Sequence, residues 1–470
     1  MPKINLPLSK EVSVNSAKNP NNQLLQNMYS IPNQYGEESE YTLRQRGGLD
    51  LLIDTGEEVR GLTHINSFYY VVGTTKIRKY DLTGTLVADY AFTTASGEVY
   101  NILDNSVGQI AFLSWKYQVD SVYRVLESGT LYNPSLPYNP KTFTDMDGYF
   151  IFRRRGTQQF FISALLDGRT FSSLDFASAT QKSDNIITVL SCAGILYVFG
   201  TRSIEFFQNT GNATFPFEAI KGTANTTLGC GADLTPVAIL NEIYFLSRNG
   251  LVYKISGYSF TKISTESIDK LFQNISAVNA IGFSFRENGQ WFYGITVEDA
   301  GFTVCCNLQT LEWHKRTSEG YTYWRPRFVQ NAFLEENTKN TICAIGNKVY
   351  FINQDNTTDD GDDIERVFTT TVIQGDGKRV IHHAIQPVIT TGTAGVDITP
   401  IIEMSYSDDG GFTYSTKRSL SLGTNTQYGR KIEFRNLGIS RKRIYKFEVS
   451  NDVSISIASC KIRLEVEDDE

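Results

Sequence analysis

Short apolar runs rich in tyrosine and phenylalanine recur along the middle of this chain, each entered through a turn and each too short for a helix. The pattern reads Asn66-Ser67-Phe68-Tyr69-Tyr70-Val71-Val72, then Gly108-Gln109-Ile110-Ala111-Phe112-Leu113, then Asp147-Gly148-Tyr149-Phe150-Ile151-Phe152. It returns as Ala193-Gly194-Ile195-Leu196-Tyr197-Val198-Phe199 and Leu240-Asn241-Glu242-Ile243-Tyr244-Phe245-Leu246. The last two returns are Asn288-Gly289-Gln290-Trp291-Phe292-Tyr293 and Gly346-Asn347-Lys348-Val349-Tyr350-Phe351-Ile352. Runs of this length bounded by Gly, Asn and Asp are strands, and Arg248-Asn249-Gly250-Leu251 is a hairpin signal. A strand unit that returns roughly every 40–60 residues is the signature of a β-propeller. Seven returns allow six or seven blades; six is the expectation, one return then being a platform strand outside the ring.

The flanks follow other patterns. Residues 1–56 are rich in Asn, Ser, Pro and Gln, carry no repeat, and hold Leu24, Leu25, Met28, Tyr29 and Ile31. That is too apolar for a solvated tail, so an extended arm seeking a neighbour to fold against is expected. The propeller is assigned to residues 57–368. From 369 to 470 the strands lengthen and alternate, as in Ile401–Tyr406, Ile444–Val449 and Cys460–Val466, which predicts an antiparallel β-sandwich. The fold class is therefore all-β: arm, propeller, sandwich. One segment, Ser264–Ile275, breaks the strand pattern. A Ser/Thr cap, Glu266 and apolar residues at 268, 271, 272 and 275 predict a helix packed on the propeller.

Composition agrees with that picture and removes some functions. Of 470 residues, 12% are aromatic and 20% charged, with a net charge of −7 and pI near 5.4. No global basic field advertises sequence-specific nucleic-acid binding. No run of 18 apolar residues and no apolar leader occurs, so neither membrane insertion nor export is expected. The six cysteines, Cys192, Cys230, Cys305, Cys306, Cys343 and Cys460, form no C-x-x-C and have no zinc-ligand spacing. They suit reduced, buried thiols made in a reducing cytoplasm.

Five segments invite a chemical reading. Ser407-Asp408-Asp409-Gly410-Gly411-Phe412-Thr413-Tyr414 fits the Asp-box pattern, in which Ser407, Asp409, Gly411 and Tyr414 build a structural turn. Such boxes recur in sialidase propellers, but this chain has one, outside the repeat. The dense acidic run Asp355–Asp363 is a solvated loop or a cation site; its spacing is not that of an EF-hand. Arg153, Arg154 and Arg155 close a strand, where successive side chains alternate faces, so the three do not converge on one ligand. They form a hairpin tip facing a partner or DNA, or a solvated turn. Arg430, Lys431, Arg435, Arg441, Lys442, Arg443 and Lys446 crowd the sandwich and would suit an acidic partner or a phosphate track, or form a solvated face. The histidines, His64, His314, His382 and His383, lack metal-ligand partners at helical spacing. No G-x-S-x-G, P-loop, G-x-G-x-x-G or H-E-x-x-H occurs, so the sequence gives no positive sign of catalysis.

Three groups of segments, taken in order, resemble a known family. The arm carries Leu6-Pro7-Leu8, Gln26-Asn27-Met28-Tyr29-Ser30-Ile31-Pro32 and Tyr41-Thr42-Leu43-Arg44-Gln45-Arg46-Gly47-Gly48-Leu49. The middle carries Ser203–Gly211 and the helix; the end carries Gly429–Ile432, Gly438–Arg443 and Ser459–Arg463. The chain is similar in these to the packaged-DNA-stabilisation, or tail hub, proteins of short-tailed phages. It departs from them at Arg46, where proline is usual. The resemblance implies a structural virion protein, not an enzyme, with no catalytic, cofactor or metal residues. It implies a homohexameric ring below the portal and adaptor ring that continues the DNA channel and helps retain packaged DNA. The ring would mount the needle or nozzle protein and the tail fibres or spikes, with non-specific DNA contact in the channel. The protein would be made in the host cytoplasm and reside in the virion tail. Arg153, Arg154, Arg155, Arg430, Arg441, Lys442 and Arg443 are then the candidate interaction residues. A reading from another class is a sialidase-like hydrolase or glycan-binding propeller.

Overall fold

The computed structural model describes residues 3–13, 22–33, 40–92, 97–115, 121–273, 275–276, 278–332, 341–393, 395 and 398–467. Six blades are contiguous in sequence, each an antiparallel sheet of four strands in order, running from Gly61–Ile65 in the first to Trp313–Arg316 in the sixth. A seventh is composite. Arg327–Asn331, Thr341–Ile345 and Lys348–Asn353 form its first three strands, and Gly48–Asp54 from the arm supplies the fourth, antiparallel to Lys348–Asn353. The ring thus consists of six contiguous blades and one completed from outside the repeat, within the six or seven that the returns allow. The closing strand lies some 300 residues before its blade, in the segment assigned to the arm. The last aromatic return, Lys348–Asn353, is the third strand of this blade rather than the second.

The aromatic runs have a physical cause. Each blade packs between two others, so its strands are buried on both faces and alternation along a strand sends successive side chains to opposite neighbours. Tyr69 and Val71 join a core with Ile342 and Val349 of the seventh blade. Tyr70 and Val72 join Ile110 and Phe112 of the second blade. The same division repeats around the ring, giving seven inter-blade cores. Cys305 and Cys306 fall into two different cores, and all six cysteines are buried and unbridged. The tight turns entering the runs need positive φ at both central residues, as at Asp147-Gly148 (50° and 83°) and Asn288-Gly289 (47° and 75°). The predicted helix spans Glu266–Gln273, with Ile268 and Phe272 buried between the fifth and sixth blades.

The sandwich is built from both ends of the chain. One sheet runs Met28–Pro32, Tyr41–Gln45, Ser456–Val466, Val380–Ile389 and Phe434–Arg435, with Ile4–Leu6 also paired to Ser456–Val466. The other runs Arg366–Thr369, Lys442–Val449, Ile401–Ser407 and Arg418–Ser421. Leu25–Gln26 joins this second sheet to the sixth blade, antiparallel to Arg366–Thr369 and parallel to Trp313–Arg316, making one continuous sheet across the two domains. The arm therefore folds against its own chain: Leu8, Leu25, Met28 and Leu43 are buried in the sandwich core.

A buried polar knot sits where arm, propeller and sandwich meet. Arg46 is fully buried. Its Nη1 and Nη2 donate to Asp359 at 2.8 and 2.6 Å, its Nε to Asn27 Oδ1 at 3.0 Å, and its remaining N–H groups to the carbonyls of Gly47 and Thr317. All five guanidinium donors have acceptors. Arg46 is thus matched by a carboxylate from the acidic run, and Asp360 of that run pairs with Lys348. No cluster able to hold a metal occurs among the described residues. Gly48 is required by approach: a Cβ there would lie 2.1 Å from the Thr358 carbonyl oxygen.

Two predictions arise. Arg46→Ala leaves Asp359 buried without its cation and should cost about 3–5 kcal/mol of stability, whereas a well-packed apolar pair at both positions should recover much of that; denaturant unfolding measures both. The second concerns Glu11 of the arm. Burial, reinforced by the nearby Glu312 carboxylate, raises its pKa from 4.5 to about 7, while Val12 N–H bonds the Trp313 carbonyl at 2.8 Å. A carboxyl raised on folding stabilises the docked arm fully below pH 4.5, and that contribution is lost as pH rises through about 7. Proteolytic protection of the arm should fall between pH 5 and 8 in the native chain and change less in Glu11→Gln.

Candidate assembly surfaces

The arginine triplet divides by strand alternation. Arg153 and Arg155 share one face and Arg154 takes the other. Arg153 is buried 3.6 Å from Asp233, which also pairs with Lys141; Lys141 lies 3.9 Å from the Trp115 ring centroid. Burial lowers the Lys141 and Arg153 pKa values despite Asp233. Arg154 stacks over Tyr138 at 4.0 Å and donates to Gln159. Arg155 is half-buried, its N–H on the Asn139 carbonyl. Arg153 thus ties the third blade to Asp233 and to the Ile187 carbonyl, while Arg154 and Arg155 stay beside their own hairpin.

The Asp-box is a turn built by hydrogen bonds. Ser407 Oγ donates to Asp409 at 2.6 Å and accepts from Gly411 N–H at 2.7 Å, while Asp409 also accepts from the N–H groups of Phe412 and Thr413. The Ser407 and Thr413 hydroxyls hold the Asp409 carboxyl well below the usual carboxylate range. Tyr414 is half-buried beneath, with Lys446 over its ring. The turn also anchors the arm, since Asn22 N–H donates to the Gly410 carbonyl at 2.8 Å.

The basic cluster of the sandwich splits in the same way. Arg443 is buried, bidentate to Asp408 at 2.6 and 2.7 Å, and lies 3.9 Å from the Tyr406 ring centroid. It holds the Asp-box loop and is not a surface contact. Lys442 is half-buried beside Gln374, and exposed Arg441 donates to the Gly377 carbonyl at 3.2 Å. Lys431, Arg435 and Lys3 pair with Glu433, while exposed Arg430 lines the same shallow cavity and donates to Gln427 at 3.3 Å. Hydrogen bonding from Lys431, with help from Lys3, lowers the Glu433 pKa from 4.5 to about 2. Sequence reasoning missed Lys3 in this cluster, and it missed Lys141 and the Arg46–Asp359 pair. Each joins residues too far apart in the chain for spacing to reveal.

His314 and His382 are buried and neutral-leaning. Burial puts His314 far below its ordinary pKa and His382 at about 4. His382 bonds Ser440 and Tyr445, each at 2.9 Å. His383 pairs with Glu465 at 3.0 Å. The propeller channel holds a cavity of about 600 Å³ lined by polar Asn101, Thr188 and Asn331 and charged Asp233, Glu298 and Arg327 as well as apolar residues. No helix among the described residues is long and apolar enough to cross a membrane.

These features describe a braced scaffold with charged outer edges. No curated protein matches the sequence. Among solved structures the chain is similar to the N-terminal domain of Nup159 (TM-score 0.43, 10% identity, over 70% of this chain and 98% of that one). It is also similar to the Pan2 WD40 domain of Neurospora crassa (0.41, 7%, 66% and 97%) and to PorZ of Porphyromonas gingivalis (0.39, 12%, 80% and 46%). Two family models match directly: the β-propeller of bacteriophage P22 Gp10 over residues 4–291 and the β-sandwich of the same protein over residues 365–465. The chain belongs to the bacteriophage P22 Gp10 family, structural proteins of the phage tail.

Proposed function

We propose that this protein is the hub of a short phage tail: a homohexameric ring docked below the portal and its adaptor ring, which continues the DNA channel and helps retain the packaged genome. The same ring mounts the needle or nozzle protein and the tail fibres or spikes. The observation that carries the reading is the match of both family domains, in order, to a chain whose arm fastens propeller to sandwich. A mount under mechanical load needs such a joint, because two domains held by a free linker move relative to each other.

The DNA path in this reading lies on the ring axis between copies. A propeller cavity of about 600 Å³ is the size of a small-molecule site, whereas the major groove of a duplex alone is about 12 Å wide. Lumen contacts with phosphate are non-specific here, in keeping with a chain of net charge −7.

The test adds purified full-length chain to DNA-filled particles that carry portal and adaptor and lack the hub. Electron microscopy should show a sixfold ring at the vertex, and the packaged DNA should become resistant to added nuclease. Absence of vertex density, or a stable monomer that cleaves or binds glycans, overturns the proposal in favour of a carbohydrate-active propeller.

A further inference from the structure

A closed ring of identical copies needs two different surfaces on each copy, complementary to each other and facing in different directions. The chain carries one basic and one acidic surface of this kind, on separate domains. The basic surface is the outer edge of the sandwich sheet. Phe434–Arg435 is the last strand of the order that begins with Met28–Pro32, the strand that leans on the propeller core through Tyr29 and Ile31. Four strand spacings of about 4.8 Å put that edge roughly 19 Å from the propeller side. There a shallow cavity of about 220 Å³ is lined by Leu420, Ser421, Arg430, Lys431, Glu433 and Arg435. Lys431 and Arg435 are 55% and 66% exposed, and with Lys3 they share Glu433 as an acidic partner.

The acidic surface is the hairpin of Thr358–Asp359 and Asp362–Asp363, the outermost element of the composite seventh blade. Its base is fixed, Asp359 by Arg46 and Asp360 by Lys348. Its outer strand, Asp362 and Asp363, is exposed, with Asp54, Asp355 and Glu365 also exposed around it. The hairpin is therefore a held, convex, negatively charged element, and the sandwich edge a concave, positively charged one.

We infer that the Asp362–Asp363 hairpin of one copy seats in the Arg430–Lys431–Arg435 edge of the next copy, forming the head-to-tail contact of the ring. The inference rests on the ring proposed above and names its contact surfaces. Charge complementarity of this sort sets the partner and speeds encounter, and salt weakens it.

The test compares full-length native chain, Lys431→Glu/Arg435→Glu, and Asp362→Lys/Asp363→Lys at low ionic strength by light scattering and mass photometry. All substituted positions are exposed, and thermal unfolding checks that each variant is folded. The native chain should associate, and each variant alone should associate at least tenfold more weakly. An equimolar mixture of the two variants should regain association, because the acidic edge of one then meets the basic hairpin of the other, and the converse pair also matches. High salt should weaken the native contact and the restored one alike. Variants that associate like the native chain leave the ring intact and overturn these surfaces. Folded variants whose mixture stays dissociated show that the two surfaces are not each other's partners. If the native chain is monomeric alone, the same variants and their mixture are read on DNA-filled particles that carry portal and adaptor: vertex density should fall for each variant and return for the mixture, and density unchanged in each variant overturns the contact while leaving the ring. If Lys431→Glu/Arg435→Glu assembles normally but loses retention of duplex DNA, the edge serves phosphate and the inference falls.

Discussion

The join of arm, propeller and sandwich depends on a buried ion pair. Arg46, from the arm, meets Asp359, from the hairpin on the seventh blade, and spends its remaining donors on Asn27, Gly47 and Thr317. Those acceptors belong to the arm and to the end of the sixth blade, and Asn27 in turn bonds the Glu365 carbonyl at the entry to the sandwich. An isolated buried charge is costly, and a fully paired one is tolerated because every donor is satisfied. The guanidinium therefore tolerates one arrangement of four chain segments and penalises others. Propeller closure and sandwich attachment are fixed at the same point.

That constraint accounts for an arm with no repeat in sequence that nonetheless folds into strands. Its strands are two to seven residues long, too short to stand alone. Each is completed by a partner elsewhere: Ile4–Leu6 by Ser456–Val466, Leu25–Gln26 by Arg366–Thr369, Gly48–Asp54 by Lys348–Asn353. Closing the ring with a strand from the far end of the sequence ties the last blade to the first residues of the fold. The loop-closure entropy of so long a connection grows only logarithmically with its length, and the apolar residues it brings into the cores offset it.

The charged residues show how tertiary position sorts side chains that look alike in sequence. Arg441 and Arg443 are two residues apart; one reaches a carbonyl at the surface and the other is buried on Asp408 between aromatic rings. Arg430 and Arg435 remain at a sheet edge, where charge also discourages unwanted strand pairing. The acidic run divides likewise, Asp359 inward and Asp362 and Asp363 outward. Charge density along a chain marks where such sorting will occur and leaves its result to the neighbours that fold brings in.

The sequence by itself determined the propeller, the sandwich and the helix, because these rest on local periodicity: two-faced apolar strands, alternating strands and a 3.6-residue stripe each leave a mark within a dozen residues. It determined the Asp-box turn for the same reason, since Ser407, Asp409, Gly411 and Thr413 bond within one loop. Tertiary structure alone decided the seventh blade, the arm's fold against its own chain, and the partners of Arg46, Arg153 and Arg443. Each of these joins residues that are distant in the chain or on opposite faces of a strand. A guanidinium carries the same charge in every context, and its role follows from which carboxylate and which rings the fold places around it.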